Sequence, residues 1–349
     1  MSSTSTVLDK NLVPESTNQE VGSEDLRAKP SGVAIVFPGQ GSQGVGMGRF
    51  FFESSKEAHS LALQANDIAG FDLLELMFSG PLDQLTLTEN AQLAIFTANA
   101  MGWAFFREAF DKSSNGIASL EEYVTCLAGH SLGEYNAWLA AGCASFEQLF
   151  RLVQLRSEAM AEASPKDGVM YAIIGIDVEQ ASEIIAECTQ GDAFKCTIAN
   201  DNCPGQVVIS GVCDEVEAIS EKLMQFARKK VPLAVSGPFH SPWMQPAAEK
   251  LATAASRVVF AAPKISVIAN ASAKPVCGAG EVADMIATQV ISRVRWRESV
   301  LAMEELGVKT WLEAGHGNVL AGLIRRIVSQ DSSNIFNVSD QNLRFTVCA

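Results

Sequence analysis

The sequence predicts an α/β fold with a mainly parallel sheet and a smaller inserted unit. Apolar runs typical of buried strands alternate along the chain with segments of helical periodicity, which favours parallel strands joined by helices. Residues 165–236 instead follow the order βαββαβ, the split pattern of a ferredoxin-like unit. We therefore expect a larger discontinuous domain at residues 31–164 and 237–340, interrupted by a subdomain at residues 165–236.

Residues 1–30 differ in composition from the rest of the chain. They are rich in serine, threonine and acidic residues and predict a disordered acidic tail. The tail lacks the arginine-rich, acid-poor composition of an organellar transit peptide. No apolar run in the sequence is long enough to span a bilayer. We expect a cytoplasmic protein, or an organellar one if the tail is the remnant of a processed segment.

Ordered structure is expected to begin with the buried strand Val33–Phe37 and the glycine-rich turn Pro38–Gln43. Helical periodicity then dominates Phe51–Phe110, and Lys112–Glu122 is predicted as a loop. The next elements are, in order, a strand at Val124–Leu127 and helices at Gly133–Ala141 and Phe146–Ala163.

The inserted unit and the C-terminal part of the chain complete this prediction. The unit comprises strand Val169–Ile176, helix Val178–Cys188, strands Lys195–Ala199 and Gln206–Ser210, helix Asp214–Ala227 and strand Lys230–Val235. After it come helix Met244–Val258, the β-type run Ile265–Asn270, helix Glu281–Ile291 and strand Thr310–Glu313. The larger domain is therefore expected to resume after the insertion.

Charge and cysteine content exclude several classes of function. The 349 residues carry a net charge of −14, which disfavours nucleic acid or an anionic membrane as the main partner. The eight cysteines form no C-x-x-C pair and lie mostly within apolar runs. They are typical of reduced core residues, so we expect neither disulfides nor a metal site.

The segment Gly129-His-Ser-Leu-Gly133 places Ser131 at the centre of a G-x-S-x-G motif between a predicted strand and a predicted helix. This context is typical of a nucleophile elbow, in which the serine hydroxyl stands clear of its own backbone at a sharp turn. The helix N-terminus supplies N–H groups where an oxyanion would form. Acyl transfer is therefore the leading chemistry, and a tight turn with an incidental serine is the alternative.

A nucleophilic serine needs a base, and the chain holds four histidines. His130 is adjacent to Ser131 and cannot easily fold back along the turn, while His59 lies in a helical stretch and His316 in a glycine-flanked turn. His240 remains, in a Gly-Pro loop after a strand. The alternative role for His240 is to cap backbone groups of its loop.

The turn Gly39–Gly44 formally matches G-x-G-x-x-G, the pattern of dinucleotide-binding sites. Those sites also need an acidic residue at the end of a second strand about 20 residues further on. Here Phe51–Phe78 has helical periodicity instead. The pattern therefore favours a loop beside the oxyanion, or a structural turn, over a dinucleotide site.

Five motifs occur in one order along the chain. They are Phe37–Gln43, Gly129–Gly133, Gly205–Gly211, Gly237–His240 and Glu313–Gly317. In these motifs, from about Val33 to Val338, the chain resembles malonyl-CoA:acyl carrier protein transacylases. The resemblance implies an α/β-hydrolase-like core with an inserted ferredoxin-like subdomain. A proline is usual in the family at the position of His316, which we expect to alter only the stiffness of its loop.

The resemblance also implies roles for individual residues. Ser131 would be the nucleophile and His240 its base, in a dyad whose imidazole is oriented by a main-chain carbonyl near Gln289. The N–H groups of Gln40 and Leu132 would form the oxyanion hole.

Arg156 lies on a helix face with otherwise buried character, where an unpaired guanidinium would be costly. The resemblance implies that it binds the free carboxylate of malonate, and a structural salt bridge is the alternative. Gln92 matches a position near the acyl group, or it caps its helix. Asn202 matches a subdomain edge that faces the site, or it forms a turn. Phe239 resembles the bulky residue associated with malonyl rather than methyl-branched units.

Together these expectations describe a ping-pong transferase. It would move a malonyl group from malonyl-CoA to the phosphopantetheine thiol of an acyl carrier protein, as a monomer and without a metal or redox cofactor. An acyl hydrolase on the same scaffold is the alternative within enzymes, but it has no need of a cation for a free carboxylate. A non-catalytic protein that docks acyl carriers is the alternative outside enzymes.

Overall fold

The computed structural model describes residues 32–114, 119–329 and 334–339. Two sheets organise them. The strands of the larger sheet are β1 (Val33–Phe37), β2 (Val124–Gly129), β7 (Ser266–Ile268), β8 (Pro275–Val276), β9 (Thr310–Glu313) and β10 (Asn334–Asn337). The smaller sheet contains β3 (Gly168–Ile174), β4 (Cys196–Cys203), β5 (Gln206–Val212) and β6 (Lys229–Pro232). The predicted tail, residues 1–30, lies outside the described residues.

The larger sheet has the strand order β10-β9-β1-β2-β7-β8. All its neighbours pair in parallel except β7 and β8, which confirms the predicted α/β class with a mainly parallel sheet. The central strand β1 is apolar throughout because both faces of the sheet are covered. Val33, Ile35 and Phe37 pack into one core cluster, and Ala34 and Val36 pack into another on the opposite face.

Helices cover the larger sheet on both faces. They are α1 (Arg49–Ser54), α2 (Lys56–Ala69), α3 (Leu73–Ser79), α4 (Leu82–Thr86), α5 (Thr88–Ser114), α6 (Leu120–Tyr123), α7 (Gly133–Ala140), α8 (Phe146–Ala163), α11 (Gln245–Ala255), α12 (Ala279–Gln289), α13 (Trp296–Glu305) and α14 (Val319–Ile324). Helices α5, α7 and α8 pack into the first cluster, and α13 and α14 pack into the second. None of the helices in the described ranges combines the length and apolar character needed to cross a membrane.

The smaller sheet has the order β4-β5-β3-β6, and every neighbouring pair is antiparallel. Helices α9 (Val178–Thr189) and α10 (Cys213–Leu223) pack with one face of this sheet in a cluster of their own. Met170, Ala172 and Val208 belong instead to the core cluster of the larger sheet. The two sheets are therefore in contact through the second face of the smaller one.

Strand β4 also contacts the segment that leads into helix α13. It extends to Cys203, well beyond the predicted end at Ala199, and forms a parallel bridge between Asn200 and Val294. The N–H of Asp201 donates to the Val294 carbonyl at 3.0 Å, and the guanidinium of Arg297 pairs with the buried Asp201 carboxylate at 2.9 Å. These contacts place the end of β4 next to helix α13, which packs on the larger sheet.

Several predicted elements were wrong or incomplete. The helical stretch from Phe51 is divided among five helices, because glycines and proline interrupt it. The predicted loop Lys112–Glu122 overlaps helix α5, which runs to Ser114, and helix α6, which is capped by Ser119 and Glu122. The prediction also lacked α13, α14, β8 and β10.

Packing at the junction of β1, β2 and α7 yields a stability prediction. A Cβ atom on Gly133 would lie 2.0 Å from the Phe37 carbonyl oxygen, whereas one on Gly280 of α12 would meet no atom within 4 Å. We expect Gly133→Ala to lower the free energy of unfolding by about 3 kcal/mol or more, because main-chain atoms cannot move aside. Urea denaturation measures this loss.

Gly280→Ala is the matched control for that experiment. It should leave stability unchanged or raise it by up to about 1 kcal/mol, since alanine favours helix more than glycine does. Equal stability of the Gly133→Ala variant and the wild type would contradict the close packing of α7 on β1.

Candidate active site

Ser131 occupies the sharp turn between β2 and α7. Its backbone is in the left-handed region with φ of 50°, which is uncommon for a residue other than glycine. The turn is tight enough that a Cβ atom on Gly129 would lie 1.9 Å from the main-chain carbon of Gly133. The glycines of the G-x-S-x-G motif are therefore required by the close approach of strand and helix.

His240 is in contact with the Ser131 hydroxyl. The distance from His240 Nε2 to Ser131 Oγ is 2.7 Å. Nδ1 lies 3.0 Å from the main-chain oxygens of both Gln289 and Ser292. Because these carbonyls can only accept, Nδ1 carries the proton and Nε2 is free to accept one from Ser131.

The electrostatic environment keeps this imidazole neutral. Burial and the nearby positive charge of Arg156 lower the pKa of His240 to about 3, although the two carbonyls oppose the shift. Within the described ranges, no carboxylate is hydrogen-bonded to His240. The arrangement is thus a serine–histidine pair oriented by main-chain oxygens.

Arg156 extends from α8 into the same site and is only 1% exposed. Its Nη1 donates to Gln92 Oε1 at 2.6 Å, and its Nη2 donates to Ser131 Oγ at 3.1 Å and to Gln289 Oε1 at 3.2 Å. None of the ion pairs found in the described part of the chain involves Arg156. The structural salt bridge considered from the sequence is therefore absent there.

Glu134 is a buried acidic residue whose charge acts on Arg156. Burial raises the pKa of Glu134 to about 8, and the Asn270 N–H, the Gln289 side chain and the Arg156 charge oppose this rise less strongly. The groups that bond the guanidinium itself are all uncharged, namely Gln92, Gln289 and the Ser131 hydroxyl.

Gln92 and Asn202 do not have the local roles that the sequence left open, which were a helix cap and a turn. Gln92 is fully buried in the second turn of α5 and binds Arg156, so it does not cap the helix. Asn202 lies within β4 rather than in a turn, because β4 continues to pair with β5 as far as Cys203. Its Oδ1 is 2.8 Å from Nε2 of His130.

Gln40 and Leu132, whose main-chain N–H groups are the expected oxyanion donors, both line the cleft at Ser131. Neither of these two N–H groups donates a hydrogen bond to any part of the chain that the structure describes. Gly39 brings the first of these groups close to the elbow, since a Cβ there would lie 2.3 Å from the His130 carbonyl oxygen. The Gln40 side chain is anchored by a 3.3 Å bond to Thr88 Oγ1.

The segment that follows the Gly39–Gly44 turn is helical. Residues Phe51–Phe78 lie in α1–α3 and the turns between them, so no second strand of the kind that a dinucleotide site needs is present in this segment.

A cavity of about 190 Å³ opens from Ser131 between the two sheets. Phe239 lines it and is buried. Most of its other walls are apolar, contributed by Met160, Met170, Ala172, Val208, Leu233, Val235, Leu320 and Leu323. Among the described residues, no group of three or more histidine, cysteine or acidic side chains could hold a metal ion. The polar groups of the site therefore converge on Ser131 at the end of an apolar cleft.

Sequence reasoning missed Asn270, Glu134 and Ser292, which all contact the residues above. A polar side chain at the end of a predicted strand could have indicated Asn270, since sites in α/β sheets form at the carboxyl ends of strands. A charged residue within the apolar helix α7 could have indicated Glu134. Nothing in the local sequence distinguishes Ser292.

Comparisons with known proteins agree with this geometry. The profile described as acyl transferase domain matches residues 34–340. The malonyl CoA-acyl carrier protein transacylase of Bacillus subtilis is 38% identical over 299 residues, which cover 85% of this chain and 90% of the relative. The chain belongs to the malonyl CoA-acyl carrier protein transacylase family.

Solved structures of this transacylase family have the same fold. The acyl-carrier-protein-S-malonyltransferase from Bartonella henselae is similar with a TM-score of 0.81 and 38% identity, covering 88% of this chain and 95% of the other. A type II PKS acyl-carrier protein in complex with its malonyl-transacylase provides a second match. That match has a TM-score of 0.78 and 36% identity, covering 87% of this chain and 94% of the other.

The environment of His240 predicts its titration. Because burial and Arg156 both penalise the imidazolium ion, His240 should remain neutral from about pH 5 to pH 8, well above the folded pKa of about 3. NMR of the imidazole resonances measures this directly. A peptide with the sequence of residues 237–243 is the control and should titrate near pH 6.5, about the value of free histidine. A midpoint near that value in the folded protein would contradict the geometry.

Proposed function

We propose that this chain transfers a malonyl group from malonyl-CoA to the phosphopantetheine thiol of an acyl carrier protein. The single observation that carries the proposal is the double contact of Ser131 Oγ. It lies 2.7 Å from the base His240 and 3.1 Å from the buried cation Arg156. A nucleophile beside an unpaired cation suits a substrate that carries a thioester at one end and a carboxylate at the other.

In the first half-reaction, Ser131 Oγ attacks the thioester carbon of malonyl-CoA. Its proton passes to Nε2 of His240, and the carbonyl oxygen becomes an oxyanion. This oxyanion accepts hydrogen bonds from the main-chain N–H groups of Gln40 and Leu132. Each such donor is worth about 3 kcal/mol in related acyl-transfer sites. The carbon–sulfur bond then breaks, and His240 returns the proton to the sulfur of CoA.

The second half-reaction reverses these steps with a new thiol. His240 takes the proton of the carrier's phosphopantetheine thiol, whose sulfur attacks the malonyl ester on Ser131. The same two N–H groups bind the oxyanion. Collapse of the intermediate releases the malonyl thioester and returns the proton to Ser131. The chemistry uses no metal or redox cofactor.

Arg156 is proposed to bind the malonyl carboxylate. The guanidinium is fixed by Gln92 and Gln289, so its charge is oriented before substrate binds. A planar guanidinium can donate two parallel hydrogen bonds to a carboxylate. Arg156 also favours transfer over the alternative of an acyl hydrolase, which has no need of this cation.

The remaining site residues are assigned to shaping the cleft. Phe239 limits the space beside the acyl group and favours malonyl over methyl-branched units. Asn202 presents the edge of the smaller sheet to the elbow through its bond to His130.

The observed topology supports a finer description of the fold. We assign residues 31–164 and 237–340 to an α/β-hydrolase-like catalytic domain and residues 165–236 to a ferredoxin-like subdomain. The strand order β4-β5-β3-β6 with two helices on one face supports the second assignment.

We further propose that the protein acts as a cytoplasmic monomer. Its partners are malonyl-CoA and the carrier, with neither nucleic acid nor a membrane among them.

The nucleophile assignment is tested by intact-protein mass spectrometry. Malonyl-CoA should add one malonyl group to the wild-type protein, and Ser131→Ala should abolish the adduct because the ester oxygen is lost. Ser299→Ala is the control, since the Ser299 side chain is fully buried and bonds only the Arg295 carbonyl. Rapid quenching should show that His240→Ala slows acylation by roughly a hundred- to ten-thousandfold, the usual scale for a general base.

Either of two outcomes would count against this assignment. An adduct that maps to a cysteine would identify a different nucleophile. Near-normal acylation of the His240→Ala variant at neutral pH would identify a different base.

The role of Arg156 is tested by substrate selectivity. Losing the charge partner of the malonyl carboxylate costs on the order of 2–5 kcal/mol, so Arg156→Ala should lower kcat/KM for malonyl-CoA by roughly 30- to 3000-fold. Acetyl transfer should persist or improve, because acetyl-CoA has no carboxylate to pair. Arg156→Lys should restore malonyl transfer only in part, since an ammonium group is not a two-pronged donor. Equal losses for both substrates would make Arg156 a structural residue.

A further inference from the structure

One side chain outside the assigned site residues is bonded to both sides of the elbow. Asn270 follows β7, the strand beside β2. Its Oδ1 accepts the main-chain N–H of Ser131 at 2.7 Å, and its Nδ2 donates to the main-chain oxygen of Gly129 at 2.6 Å. Asn270 therefore spans the turn that carries the nucleophile.

Asn270 is itself fixed by its neighbours. It is fully buried, its N–H donates to Glu134 Oε2 at 2.6 Å, and its carbonyl accepts the N–H of Arg295 at 3.0 Å. Both main-chain groups and both side-chain groups of the residue are therefore bonded. Asparagine suits this place because one planar amide presents an acceptor and a donor side by side.

These bonds bear on catalysis in two ways. Ser131 has a left-handed backbone, and such a strained conformation persists only where its surroundings hold it. The Ser131 N–H is also occupied by Asn270 and is not available to an oxyanion. The N–H groups of Leu132 and Gln40, which make no bond within the described residues, are left for that role.

We propose that Asn270 is a positioning residue for acyl transfer. It holds Ser131 in the conformation that directs Oγ at His240. Because it occupies the Ser131 N–H, the N–H groups of Leu132 and Gln40 bind the oxyanion. This inference rests on the proposed function, in which Ser131 is the nucleophile that becomes acylated. Asn270 acts through the elbow and does not touch the substrate.

The proposal predicts a loss of rate without a loss of binding. In Asn270→Ala, kcat should fall about 10- to 100-fold, the effect of misplacing reacting atoms by about 1 Å. The loss should be equal for malonyl-CoA and acetyl-CoA, because both use the same oxyanion. KM for malonyl-CoA should stay close to the wild-type value, since the contacts of Arg156 with Gln92 and Gln289 remain.

Asn136→Ala is the matched control. Asn136 is equally buried on α7, and its side chain bonds the Phe96 carbonyl at 2.9 Å and Asn99 at 3.0 Å but does not bond Ser131. It should lose thermal stability without the drop in kcat. The proposal is overturned if Asn270→Ala loses no more kcat than Asn136→Ala, or if its defect lies in KM alone.

A second variant covers the case in which Asn270→Ala does not fold. Asn270→Asp has the same shape and keeps an acceptor for the Ser131 N–H, but an ionised carboxylate cannot donate to the Gly129 oxygen. We expect kcat to fall with KM unchanged, and a wild-type kcat would overturn the proposal. If wild-type protein forms no malonyl adduct on Ser131, the proposed function fails instead, which keeps the two failures distinct.

Discussion

The left-handed turn at Ser131 is the constraint on which the rest of the site depends. Gly129 cannot carry a side chain because β2 and α7 meet so closely, and Gly133 cannot carry one because α7 lies against the end of β1. Such a strained residue costs about 1–3 kcal/mol and must be stabilised by its surroundings. Groups from distant parts of the chain supply this stabilisation, with Asn270 on the Ser131 N–H and the Gln289 side chain on the Ser131 carbonyl. The fold thus brings three segments together to present one hydroxyl.

Charge is the second organising factor. A buried guanidinium usually has a carboxylate partner, because desolvation of an isolated charge is expensive. Arg156 is bonded instead to Gln92, Gln289 and the hydroxyl of Ser131. Its positive charge lowers the pKa of His240, which keeps the base neutral, and it leaves an electrostatic preference for an anionic ligand. One cation therefore connects base strength with substrate selectivity.

The sequence was most informative where function depends on local geometry. The elbow motif and the strand before it predicted the place of Ser131, and β9 matched the predicted Thr310–Glu313. Prediction failed where distant contacts decide the structure. Asn200 of β4 forms a bridge with Val294, far along the chain, and Asn270 lies 139 positions from the Ser131 amide that it binds. Local periodicity does not reveal contacts between distant residues. For the same reason, the contacts of Arg156 with Gln92, Gln289 and Ser131 could be identified only in the structure.

The most direct test of the account is the fate of the malonyl group on the isolated acyl-enzyme. The adduct is formed with malonyl-CoA, freed of CoA, and then mixed with an acyl carrier protein bearing phosphopantetheine or with buffer alone, and both malonyl-carrier and free malonate are measured over time. The account predicts rapid appearance of malonyl-carrier and little free malonate in either mixture. Release of free malonate at the same rate with and without the carrier would contradict it and would identify the protein as a hydrolase.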